Sequence, residues 1–103
     1  MKRVIVQAEF LSADQASYEA EARDALLTGE RIVVFDLGRV KYIDSIAVSM
    51  IDRLSVDADK RDAIIILDNL SHVAKDFFDS LELNHRFFTR LPEKRISAFP
   101  VGQ

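Results

Sequence analysis

The residues of this 103-residue chain best suited to act on another molecule gather between Asp36 and Ser49. Two carboxylates (Asp36, Asp44), two cations (Arg39, Lys41) and two serine hydroxyls (Ser45, Ser49) lie in that stretch. A serine at a helix start has two uses. It can cap free backbone amides, which contributes on the order of 1 kcal/mol, or stand exposed as a phosphoryl acceptor, gaining nearly two negative charges. Asp44 can cap equally well, so the residues leave both uses of Ser45 open. Asp36 closes an apolar run, where it either positions a partner's basic group or forms a solvated turn. Arg39 and Lys41 suit an acidic partner or a phosphoserine, or are plain surface. Ser49, one turn further on, reads as a solvent-facing helix residue and the lesser phosphosite.

Composition removes most other chemistry. There is no cysteine, so disulfides, thiolate catalysis and cysteine-based zinc sites are out. His72 and His85 are not at metal-motif spacing and have no companion ligands, so no metal is expected. Gly29, Gly38 and Gly102 are too scattered to cradle phosphates, which leaves no nucleotide cofactor, and no other cofactor is expected. Ser45 sits between Asp44 and Ile46 instead of on a glycine-flanked elbow, which places a small α/β enzyme using Ser45, Asp36 or Asp44 behind a binding role. A net charge of −3 supplies no electropositive field for nucleic acid. Arg86, Arg90, Lys94 and Arg95 make the C-terminal end locally basic, which reads as a solvated tail. The longest apolar run, Ala63 to Leu67, is too short to insert into a membrane. Met1-Lys2-Arg3 is followed only by Val4-Ile5-Val6, not by a signal h-region, so a cytoplasmic location is expected.

The elements that must position these residues read as strand and helix in alternation. Val4, Val6, Ala8 and Phe10 alternate as in one half-buried strand. Ser12-Ala13-Asp14-Gln15 matches a capping box opening a helix at about 13 to 28, with Gly29 as its left-handed stop. Ile32 to Phe35 and Ala63 to Leu67 are continuous apolar runs typical of buried strands. Between them Ala47, Met50, Ile51, Leu54 and Ala58 share one helical face. Ser71 precedes a third helix whose Val73, Phe77 and Leu81 stack at i, i+4 and i+8. His85 to Thr89 reads as an edge strand, and Pro92 and Pro100 interrupt the tail. Connections this long imply crossovers. The expected fold class is α/β: one domain over 1–103, its tail from about 90 unassigned, with amphipathic helices packed on a central, largely parallel mixed sheet.

The stretch Val34-Phe35-Asp36-Leu37-Gly38-Arg39-Val40-Lys41-Tyr42-Ile43-Asp44-Ser45 resembles the signature of the STAS family, named for sulphate transporters and anti-sigma factor antagonists. Ile64 to Ser71, with Val73, Phe77, Leu81, Leu83 and Phe87, resembles the next strand and helix of that family. The resemblance implies a divergent stand-alone regulatory module that binds an anti-sigma factor/serine kinase or another regulatory protein, with Ser45 at the phosphorylated position. It implies a docking surface made of Asp36, Arg39, Lys41, Asp44, Ser45, Ile46, Ala47 and Ser49, and it leaves a homodimer open. Ile46 and Ala47 depart from the family's second hydroxyl and glycine, and Asp62 stands where a glycine precedes the third strand. Looser family members carry an aliphatic residue after Ile-Asp-Ser without needing phosphorylation. The alternative implied is therefore a constitutive subunit of a lipid or anion transport assembly.

Overall fold

The computed structural model describes residues 1–81 and 88–90. Its elements are β1 (Lys2–Ile5), β2 (Glu9–Phe10), α1 (Gln15–Leu27), β3 (Ile32–Asp36), β4 (Tyr42–Ile43), α2 (Ser45–Lys60), β5 (Ile64–Asp68), α3 (His72–Leu81) and β6 (Phe88–Arg90). The strands β1-β3-β5-β6 form one sheet in that order, β2 and β4 form a separate ribbon, and each pairing is parallel. The α/β expectation holds.

Strand order fixes where the helices lie. Each crossover steps one strand further in the same direction, and a constant handedness then places every crossover helix on the same face. The core shows this packing. Val4, Val33, Phe35, Ile65 and Leu67, which share one face of the sheet, cluster with buried residues of all three helices. Val34 and Ile66 are buried too, but one register off and outside that cluster. In α2 the fully buried Met50, Ile51 and Leu54 face the sheet, each burial favouring the fold by about 1.5–3 kcal/mol.

Charge ties α1 to α2. Glu19 accepts from Arg23 at 2.9 Å and from Arg53 at 3.2 Å, while Asp57 accepts from Arg23 at 3.2 Å. Burial alone would push the Glu19 carboxyl upward, but the bonds from Arg23 and Arg53 outweigh it and hold it below the usual glutamate range.

The first two crossover helices stop in the same way. After α1, Gly29 (φ 99°) donates to Leu26 O and Glu30 N to Ala25 O. After α2, Asp62 (φ 61°) donates to Asp59 O and Ala63 N to Ala58 O. These are paired Schellman bonds around a left-handed residue. The second helix uses an aspartate where glycine fits without strain, and Arg31 braces it through Nε to Asp62 O (2.8 Å) and Nη2 to Asp62 Oδ2 (2.7 Å).

The structure corrects three expectations about local elements. The single strand from Val4 to Phe10 is two: Val6 N still donates to Asp36 O, then Gln7 N donates to the Tyr18 hydroxyl and Ala8 O accepts from Lys41 and Tyr42. The chain changes partner from β3 to β4 there, while Val4, Val6 and Phe10 keep feeding one core, so the alternation hides the break. The capping box at Ser12 does not form. Asp14 is the N-cap, without a side-chain bond, and the Ser12 amide is given to Asp44. In α3 the buried stripe is Ala74 and Phe78, preceded by Leu70, and Val73 is 42% exposed. With Phe77 and Phe78 adjacent, periodicity allowed either stripe, and the direction of the chain as it leaves Ser71 decides. The edge strand expected at His85 to Thr89 is represented by β6 alongside β5, and residues 85–87 lie outside the described residues.

Candidate functional site

β3 and β5 both end in aspartate, and Asp36 and Asp68 are register partners. Two like charges side by side across a ladder repel. Arg3, from β1, resolves this: Nη1 donates to Asp36 Oδ2 at 2.8 Å and Nη2 to Asp68 Oδ2 at 2.9 Å. The hydrogen bond to Asp68 holds the guanidinium above its usual range against the lowering effect of burial, with the charges of both carboxylates adding. The other oxygen of Asp36 accepts from Gly38 N at 3.0 Å and Asn69 Nδ2 at 3.3 Å. Asp36 is therefore an internal organiser of the loop that follows it. A Cβ on Gly38 would run into the Asn69 side chain, which is why glycine sits there.

The loop is then held at several points. Leu37 N donates to Asp68 O, Val40 N to Leu37 O, and Lys41 N to Ala8 O. Ser71 Oγ donates to Val40 O at 2.7 Å and accepts from Ala74 N at 3.1 Å, so it caps α3 and clamps the loop at once. Ile43 pairs with Phe10 across the small ribbon.

At the start of α2 the cap is Asp44. Its Oδ1 accepts from Ala47 N at 2.9 Å and its Oδ2 accepts from Ser12 N at 2.9 Å. Ser45 is the first residue of the helix, exposed, and its hydroxyl makes no hydrogen bond among the described residues. Arg39, Lys41, Ile46 and Ser49 are exposed as well, whereas Asp36 and Asp44 are half-buried. Ala47 is the exception to the expected docking surface. Its side chain is 0% exposed and packs in the core, leaving only its capped amide at the turn. An alanine fills that interior position; the expectation of a contact residue there came from its place in the turn, and the helix rotates it inward.

Arg3, Ser12 and Asn69 are the site residues that sequence reading missed. A signal for Arg3 existed: two apolar runs each closing on aspartate favour a nearby cation, and Arg3 stands beside the first apolar alternation. Nothing local marks Ser12 or Asn69, whose roles depend on long-range contacts.

Other surfaces offer less. In the open cleft lined by Lys2, Glu21, Asp24, Ala25, Thr28 and Glu30, Lys2 pairs with Glu21 at 3.1 Å and the Met1 amine with Glu30 at 2.6 Å. Among the described residues no group of three or more His, Cys, Asp and Glu could hold a metal ion, and no helix is long and apolar enough to cross a membrane. Compared with known protein families, the chain matches the STAS domain over residues 4–96. No curated relative matches it.

Proposed function

The chain belongs to the STAS domain family, and on that premise we propose that it is a switchable docking module of the anti-sigma factor antagonist kind. Family members are protein-interaction modules, found as anti-sigma factor antagonists or attached to transporters. In this reading the partner is an anti-sigma factor/serine kinase, and Ser45 accepts the phosphoryl group.

One observation carries the proposal. Asp44 caps α2, so the Ser45 hydroxyl is exposed and outside the structural hydrogen bonding. A phosphate on the first helical residue lies at the positive end of the helix dipole, which tolerates it without unfolding the helix. The same phosphate adds nearly two negative charges to the exposed rim of the turn. A partner seated there is displaced while the fold stays intact. The carboxylates that a small enzyme would need are occupied, Asp36 by Arg3 and loop amides and Asp44 by two backbone amides, which favours binding over catalysis.

Incubation with the cognate serine kinase, followed by mass spectrometry, is the test. Phosphate is expected on Ser45, and Ser45→Asp is expected to weaken partner affinity by about tenfold or more. Phosphate on another residue, or unchanged affinity in Ser45→Asp, rejects the switch. A second reading has its own support, because Ile46 puts an aliphatic side chain, 50% exposed, where the family carries a hydroxyl. In that version the turn is a fixed contact within a lipid or anion transport assembly, and co-purification with membrane ATPase components identifies it.

A further inference from the structure

Free positive charge is scarce among residues 1–81. Among residues 1–81, every lysine and arginine other than Arg39, Lys41 and Lys60 pairs with a carboxylate at 3.3 Å or closer. Two of the three unpaired cations of residues 1–81 therefore lie in the loop leading to Ser45, on a chain whose net charge is −3. The acids of that loop do not offset them at the surface. Asp36 and Asp44 turn their oxygens inward onto Arg3, Asn69 and backbone amides, while Arg39 and Lys41 are exposed.

The same stretch carries two exposed hydrophobic side chains, Tyr42 at 58% and Ile46 at 50%. Exposed aromatic and aliphatic groups beside free arginine are the composition of an interface centre. Their backbone is already fixed: Lys41 and Tyr42 both donate to Ala8 O, Val40 O accepts from Ser71 Oγ, and Ile46 lies in the capped first turn of α2. A pre-ordered surface binds with little further loss of entropy.

We propose that residues 39–46 recognise a protein segment of complementary chemistry, an aliphatic side chain packed against Tyr42 and Ile46 and flanked by carboxylates that reach Arg39 and Lys41. This rests on the docking function proposed above and specifies its partner. It also explains how phosphorylation would act: phosphoserine at position 45 carries the same sign as the partner's carboxylates and competes with them for Arg39 and Lys41.

The test uses short fluorescent synthetic peptides of alternating glutamate and leucine, with control peptides in which lysine replaces glutamate or serine replaces leucine. The glutamate–leucine peptide is expected to bind best. Its affinity is expected to fall about tenfold in Arg39→Glu/Lys41→Glu and in Tyr42→Ser/Ile46→Ser, and to fall with added salt. Lys60→Glu, on the far end of α2, is expected to leave it unchanged. All substituted side chains are exposed, and circular dichroism checks that each variant folds. Equal binding of the lysine peptide, or affinities that survive both double substitutions, overturns the proposal. Binding of the cognate kinase that survives those substitutions overturns this surface and leaves the Ser45 switch standing. Peptide binding as expected, with no phosphate on Ser45, supports the surface and rejects the switch.

Discussion

Ser45 and Ser71 both stand where the chain enters a helix on leaving a strand, yet their hydroxyls have opposite fates. Ser71 Oγ is the α3 cap and also bonds Val40 O, so both its accepting and donating capacity are in use. Ser45 follows an aspartate that caps α2 in its place, and its hydroxyl faces outward. A shift of one position relative to the cap thus separates a structural serine from an exposed one. Residue type at a helix start does not decide the role; what stands immediately before it does.

Four substitutions test that contrast, each read as the change in unfolding free energy by denaturant titration. Ser71→Ala removes the α3 cap and the loop clamp together and is expected to cost about 2 kcal/mol. Asp44→Ala leaves the amides of Ala47 and Ser12 without their acceptor and is expected to cost about 1–2 kcal/mol. At the opposite end of α2, Asp62→Gly is expected to stabilise the fold by about 0.5–1 kcal/mol, because glycine adopts the left-handed angle freely and the exposed pair with Arg31 contributes little. The smallest effect belongs to Ser45→Ala, expected to change stability by less than about 0.5 kcal/mol. A loss at Ser45 as large as that at Ser71 would collapse the distinction.

The sequence makes much of this legible, for physical reasons that differ from place to place. The runs Ile32 to Phe35 and Ala63 to Leu67 are apolar enough to demand burial, and both became central strands of the sheet, with Ile32 alone exposed at its strand's start. The α2 face was visible because Ala47, Met50, Ile51, Leu54 and Ala58 repeat at helical spacing, and all are buried. The STAS resemblance rested on Val34 to Ser45 and on the spacing from Ile64 to Phe87, and the family match over 4–96 bears it out. What escaped was decided by partners far away in the chain. Ser12 lost its capping role to a contact with Asp44, and the first strand split because Ala8 found Lys41 and Tyr42. In α3 the pattern was ambiguous by one residue, and packing chose Phe78 over Val73. The glycine missing before β5 shows the converse. The backbone conformation that glycine serves is still there, carried by Asp62 with φ 61°.

The two oxygens of Asp44 hold amides from segments that are distant in sequence, Ser12 ahead of α1 and Ala47 inside α2. Those two amide protons therefore share one carboxylate as their shield from solvent. When the carboxylate swings away both become open to deuterium, so the linker and the first turn of α2 should exchange in step, as one local opening unit, although the sheet beneath stays closed. The turn that presents Ser45 and the chain that enters α1 are, on that timescale, a single moving part.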